Sequence, residues 1–331
     1  MARRVLVIGA QGFLGSFIAQ ALAAAGWRVT RAGRRPEDGA DFRLVDLDRP
    51  DTVSEACRDV ELVVSTVRHH GLAAERAVLR DGGILLHLDD LPVAERDRLR
   101  RETTAPKGLV VDRSGLGGVM ALAIADLLGR HPEADAVDYG FIVSVAEAAG
   151  RAGGAFVHRL LAGSGRHRTA SVQLPEPFGR RRCIEAGPAV EDMLREIVGT
   201  RTLRLFVCFL PTAFSAGMLA LNTLGLASRL PLAMFAVGRR RVPPEPSRQE
   251  TCHWVDVRRG GALVGSRFVR GAGDYRMTVA ATEVFADALV PAAGALPRRT
   301  GLYGIEQVLS LGEVTAALAA RGVVLSDHAS A

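Results

Sequence analysis

A chain of 331 residues with 48% hydrophobic content is long enough for one large domain or two of ordinary size and can bury its own core. The formal charge of +6 rests almost wholly on arginine, with Lys107 the only lysine; scattered Arg clusters without an aromatic-interleaved basic stripe suit anionic small molecules and speak against nucleic acid as a partner. Cys57, Cys183, Cys208 and Cys252 stand far apart with no paired spacing, which speaks against a zinc site and a disulfide framework, and no signal-peptide pattern opens the chain, so the expected setting is cytoplasmic.

Residues 1–114 alternate short apolar runs with helical patterns, as a parallel sheet covered on both faces requires. The expected strands are "RVLVIG", "WRVTRAG", "FRLVDL", "VELVVST", "ILLHL" and "GLVVD", with helices read from Leu14 to Ala25 and in "DTVSEACRD", "GLAAERAVLRDG" and "PVAERDRLRRE". Six strands in this order have the size of a doubly wound Rossmann domain. The loop and helix of "DRSGLGGVMALAIADLLG" then lead into a second α+β domain over 115–295 with a mainly antiparallel sheet. Its strands are expected at "AVDYGFIVSVA", "TLRLFVCFL", "TCHWVDVRR" and "ALVGSRFVR", and its helices at "AGGAFVHRLLAG", "AFSAGMLALNTLGLA" and "MTVAATEVFADALV". "RRRVPPEPSR" is the most loop-like segment within it. The uncharged stretch from Leu205 to Ser228 is long enough to span a bilayer, but Pro211 and four polar residues interrupt it, so a core strand followed by a buried helix is expected and a membrane attachment is not. Residues 296–331 are expected to form a helical segment that packs back on the first domain.

The stretch "GAQGFLG", Gly9 to Gly15, sits between the first strand and the first helix. Gly9 would make the tight turn, Gly12 would admit a pyrophosphate and Gly15 would let the helix pack on the sheet. With Gln11, Phe13 and Leu14 between them, these residues form the expected phosphate cradle of a dinucleotide. The end of the second strand selects the cofactor. An NAD site places an acid there, whereas "VTRAGRRPE" has Arg34 and Arg35 and no acid before Glu37, so NADPH is expected, its 2′-phosphate held by guanidinium forks. Asp46 either accepts from the adenine amino group or caps the following turn, and Ser65, Thr66 and Val67 border the cofactor at the sheet's switch point.

The glycine spacing also occurs in short-chain dehydrogenases, whose Tyr-x-x-x-Lys pair is missing: Val143, Val279 and Gln307 follow Tyr139, Tyr275 and Tyr303 at that interval. With "RAGRR", "LVVSTV", "GGILLHLDDLP", "GLGGVMALAIADLL" and "TCHWVDVRRGGALVGSRFVRGAGDY", the chain instead resembles the saccharopine dehydrogenase-like oxidoreductases over most of its length. The resemblance implies an NAD(P)-dependent oxidoreductase with Arg34 at the phosphate contact. The chain departs from the family pattern at Arg68, His69 and His70, and again at His87 and Asp89, in loops that face the nicotinamide in the family.

Hydride chemistry belongs to the cofactor, and the protein must supply orientation and often a proton. The candidate donors are His87 with Asp89, whose carboxylate could hold the imidazole charged, then His70 and Tyr139. No metal is expected. The apolar residues of 205–228 favour an apolar or aromatic small-molecule substrate with a C=O, C=C or C=N bond. The alternatives are a catalytically silent NADP(H)-sensing protein and a saccharopine-type amino-acid imine reductase; the chain could also act as a homodimer.

Overall fold

The structure, a computed structural model, describes residues 3–37, 41–144, 157–158, 160–161, 166–186, 194–229, 248–290 and 299–328. It divides into two units, 1–122 with 277–321 and 123–276 with 322–331.

In the first unit, β1 (Arg4–Ile8), β2 (Arg28–Gly33), β3 (Phe42–Leu44), β4 (Leu62–Ser65), β5 (Ile84–His87) and β6 (Leu109–Asp112) alternate with α1 (Phe13–Ala24), α2 (Pro50–Ala56), α3 (Ala73–Asp81) and α4 (Val93–Glu102). The runs are apolar because both faces of a parallel sheet are covered, and Val5, Leu6 and Val7 of β1 have no exposed surface. A seventh strand, β13 (Gly301–Gly304), extends the sheet to the order β13-β6-β5-β4-β1-β2-β3, with every neighbouring pair parallel. The sequence showed six of these strands. β13 was missed because "GLYG" is short and glycine-flanked and carries no periodicity. The helical segment expected over 296–331 is not continuous: a 3-10 turn over Ile305–Gln307 precedes α9 (Leu311–Ala320), which starts at a capping box of Ser310 and Glu313. Strand order reverses between β1 and β4, so the crevice of this sheet opens at their carboxyl ends.

Helix α5 (Leu116–Arg130) leads into the second unit. There β7 (Ala136–Ser144), β8 (Thr169–Gln173), β9 (Arg180–Glu185), β10 (Thr202–Leu210), β11 (Glu250–Arg259), β12 (Ala262–Ala272) and β14 (Val324–Asp327) form a sheet ordered β14-β12-β11-β7-β10-β9-β8. Only β7 and β10 pair in parallel, so the sheet is mainly antiparallel, as expected. Register fixes its faces. Gly140 lies opposite Trp254, and a Cβ at Gly140 would run into the fully buried indole, so the strand carries glycine where its neighbour's ring needs the space. One face buries Ile142, Phe206, Cys208, Cys252, Trp254 and Phe268, while Tyr139 and Phe141 share the other with Val255 and His253.

The long uncharged stretch resolves into β10 followed by α7 (Thr212–Thr223), after the short helix α6 (Arg195–Val198). Among the described residues no helix is long and apolar enough to cross a membrane. Most of the helix expected in "AGGAFVHRLLAG" and most of the loop expected at "RRRVPPEPSR" lie outside the described residues; of that helix, Val157, His158 and Leu160 are described and are helical. Helix α8 (Asp274–Leu289) starts in the second unit and continues into the first.

Candidate functional site

A cleft of about 670 Å³ opens in the first unit between the glycine loop, the end of β2 and the segments after β3 and β4. That volume lies in the range of small-molecule and cofactor sites. Gly9 adopts φ +84°, the left-handed region that disfavours a side chain, and its amide and that of Ala10 donate to the Ala32 carbonyl at 3.0 and 3.2 Å. A Cβ there would strike Thr66 and Val67, and one at Gly15 would strike the Gly9 carbonyl. Thr66 holds this packing in place by donating its hydroxyl to the Ile8 carbonyl at 3.0 Å. Helix α1 therefore starts hard against β1 and β4. Its N-cap Gly12 has no side-chain cap and its first turn no acid, so the positive end of the helix dipole is left for an anion.

Gly9, Gln11, Gly12, Arg34, Arg35, Asp46 and Val67, all expected around a cofactor, line the cleft. Phe13, Leu14, Gly15, Ser65 and Thr66 are not among its lining residues. Phe13 packs edge-on against Phe17, and the buried Ser65 hydroxyl donates to the Val67 carbonyl at 3.2 Å. Gln11 joins two loops: its amide donates to the Arg35 carbonyl at 2.7 Å and accepts from the Arg35 amide at 3.4 Å. Gly33 is bare because its Cβ would collide with that same Gln11 amide. Asp46 does serve the turn, accepting the Asp48 amide at 3.2 Å, while it also lines the cleft.

The charges around the cleft are matched unevenly. Glu37 pairs with Arg31 at 2.9 Å, Asp48 with His69 at 3.0 Å, and Arg68 reaches Asp89 at 3.7 Å. The exposed Arg34 and Arg35 side chains have no hydrogen-bond or ion-pair partner among the described residues. None of these pairings is legible in the sequence: Arg31 and Glu37 meet only once the chain turns after β2, and the other two pairs join residues on different loops.

The expected proton donors are placed differently from one another. His87, at the end of β5, is 1% exposed, and its carboxylate neighbour is Glu75 of α3, 3.6 Å away, not Asp89. Burial pushes the imidazole down to about 4, outweighing the opposite pull of Asp89, so the expectation of a histidine held charged by Asp89 is corrected. Burial likewise pushes Glu75 up to about 7. His70 is largely exposed and contacts Glu95 at 2.7 Å.

Tyr139, in the second unit, ends a hydrogen-bonded chain. Its hydroxyl lies 3.1 Å from His253 Nδ1, and His253 Nε2 lies 3.1 Å from Asp274, which also accepts from Thr251 at 3.1 Å. With Asp274 accepting from Nε2–H, Nδ1 is bare and accepts a hydrogen bond from the Tyr139 hydroxyl. Burial raises the phenol well above its ordinary range, so it stays protonated. His253 and Asp274 lie over a hundred residues beyond Tyr139: the register of β7 and β11 brings His253 to it, and β12 returns the chain to Asp274. Among the described residues no group of three or more His, Cys, Asp or Glu could hold a metal ion.

Residues 5–79 match the model of the NAD dependent epimerase/dehydratase family. No curated protein matches the chain. Among solved structures it is similar to apo saccharopine dehydrogenase (L-Glu forming) from Saccharomyces cerevisiae, at 12% identity and a TM-score of 0.57 over 99% of this chain and 100% of that one. It is also similar to a meso-dapdh mutant with DAP from Clostridium tetani, at 12% identity and a TM-score of 0.46 over 94% and 95% of the two chains. Vestitone reductase from alfalfa matches 26% of this chain and 36% of its own, at 22% identity and a TM-score of 0.24. The chain thus has the fold of saccharopine dehydrogenase, with an all-parallel sheet and a second, mixed sheet.

Proposed function

We propose that the chain is an NADPH-dependent oxidoreductase that adds hydride to a C=O, C=C or C=N bond of a small apolar or aromatic molecule. The observation that carries this reading is the charge pattern of the cleft: Glu37 is paired with Arg31, Asp48 contacts His69, Asp46 is engaged with a backbone amide, and Arg34 and Arg35 are left over. Two unmatched guanidinium groups beside a glycine-lined helix start suit a molecule that carries both a pyrophosphate and a further phosphate monoester. The glycine loop and the first turn of α1 would hold the pyrophosphate, Arg34 and Arg35 the 2′-phosphate, and Asp46 the adenine edge. Bound there, the dinucleotide supplies the hydride.

The proton that completes the reduction is assigned to Tyr139. Its hydroxyl keeps its proton at neutral pH; turned from His253 to the substrate it gives that proton to the atom that becomes negative, and the phenolate left behind regains one from water. His87, buried and neutral, does not suit that task.

Titration with NADPH and NADH, followed by the fluorescence of the reduced nicotinamide, tests the cofactor assignment. Arg34→Ala with Arg35→Ala is expected to weaken NADPH about a hundredfold, each lost charge-assisted contact costing on the order of tenfold, and to leave NADH nearly unchanged. Equal losses for both cofactors would remove the phosphate assignment. Substrate-dependent NADPH oxidation over a panel of aromatic ketones, enones and imines tests the reaction; binding without turnover on any member favours the sensing protein instead.

A further inference from the structure

We infer that Arg31 sets the cofactor preference of the cleft by offsetting the charge of the Glu37 carboxylate. The inference rests on the NADPH reading and names the residue that makes it possible. Glu37 lies on the cleft wall beside Arg34 and Arg35, where an acid would accept from a ribose 2′-hydroxyl and repel a 2′-phosphate. By its position alone Glu37 should therefore favour NADH.

Arg31 counters this from behind the wall. It belongs to β2, two residues before the strand ends at Gly33, and it is not among the lining residues. Its Nη1 lies 2.9 Å from Glu37 Oε2 and its Nη2 3.4 Å from Oε1, so the fork engages both carboxylate oxygens. The same Nη2 donates to the Ala10 carbonyl at 3.3 Å, which fastens the guanidinium to the glycine loop. A planar fork fixed at three acceptors holds its carboxylate in one orientation, which a lysine could not do. The side chains are 43% and 30% exposed, so the pair contributes little to stability. Its effect falls on the field in the cleft: the charge of the carboxylate is offset, and the positive charge of Arg34 and Arg35 stands uncancelled.

Four proteins test this: the wild type, Arg31→Met, Glu37→Gln and the double variant, each titrated with NADPH and with NADH by cofactor fluorescence and each checked for an unchanged thermal midpoint. Arg31→Met is expected to weaken NADPH about tenfold, as an uncompensated charge in a half-solvated site does, and to leave NADH unchanged or tighter. Glu37→Gln, which leaves the Arg31 charge uncompensated, is expected to bind NADPH at least as tightly as the wild type does, and the double variant to regain NADPH affinity. Rescue by the second substitution separates charge placement from loop support. Equal loss of both cofactors in Arg31→Met, or a double variant that stays weak, would overturn the inference. Should Arg31→Met fail to fold, Arg31→Gln, which keeps a donor for Ala10, takes its place with the same expected outcomes. A wild type that binds NADH as tightly as NADPH overturns the cofactor reading itself, and the inference with it.

Discussion

Glu75 and His87 lie 3.6 Å apart on α3 and β5, at 4% and 1% exposure, and both carry a pH signature in stability. Glu75 rises from an ordinary 4.5 to about 7, so the native state holds a proton that the unfolded chain has already released. That stabilisation is complete below about pH 4.5 and is lost as pH rises through 7. His87, pushed from 6.5 to about 4, acts with the opposite sign: the unfolded chain gains a proton below 6.5 that the native state refuses. The two slopes oppose one another between roughly pH 4.5 and 6.5, and above that Glu75 acts alone. The wild type is therefore expected to lose about 1 kcal/mol between pH 6.5 and 8.5, a fall in Tm on the order of 2 °C, and Glu75→Gln to show no such fall. Thermal melts across that range decide it; parallel curves for the two proteins would refute the assignment. Tyr139 carries the second prediction at this scale. Tyr139→Phe removes the donor hydroxyl but keeps the ring against Phe141, so kcat is expected to drop about a hundredfold while NADPH affinity holds. A kcat within twofold of wild type, on whichever substrate the panel identifies, takes Tyr139 out of the reaction.

Strand β13 shows what one element adds. It covers the edge of β6, pairing Gly301 to Gly304 with Leu109 to Asp112 in parallel, and it comes from a point in the chain some 190 residues later. Arg113 ties the two ends together: its Nη2 lies 2.8 Å from Glu306 and its Nη1 3.1 Å from Asp90. Arg113 and Glu306 are almost fully buried, so removing one partner strands a charge. A chain ending at residue 122 lacks β13 and α9, exposes the β6 edge and leaves Arg113 without Glu306. It is expected to aggregate or to unfold without a cooperative transition, whereas 1–122 joined through a short linker to 277–321 is expected to fold and to bind NADPH. Circular dichroism melts with cofactor titration check both, and a stable, cofactor-binding 1–122 fragment would show that β13 is dispensable.

At the scale of the molecule, each unit is assembled from two separate stretches of chain, 1–122 with 277–321 and 123–276 with 322–331. Linear reading finds stretches whose period and punctuation are local. The strands and helices of 1–114 were legible because an apolar run closed by glycine, or an apolar face at helical spacing, is written within ten or twenty residues. The glycine loop was legible for the same reason, since Gly9, Gly12 and Gly15 each answer a close approach within one strand–turn–helix unit. β8, β9, β13 and β14 were not, being short, arginine-rich or glycine-flanked, with their burial supplied by partners elsewhere in the chain. The cofactor-side residues followed this division: Arg34 and Arg35 could be read from their place after β2, but neither the Gln11 clamp nor the Arg31–Glu37 fork could, because side-chain direction at a strand end is undetermined until the neighbouring loop is in place.

The proton donors mark the same boundary. His87 and Asp89 looked like a pair because they are two residues apart, yet residues at that spacing on a strand end need not meet, and His87 found Glu75 of α3 instead. Tyr139 stood in the sequence as a lone aromatic residue in a strand; the register of two strands gave it His253, and the return of a third to a helix start gave it Asp274. By itself the sequence determined the parallel-sheet architecture of the first unit, the tight glycine loop and the place of the arginines beside it, all consequences of short-range periodicity and backbone sterics. Only the tertiary structure decided which charges are matched, which titratable groups lose contact with water and which side chains form a chain of hydrogen bonds. Those depend on distances between elements far apart in sequence, and desolvation and pairing energies act over just those few ångströms.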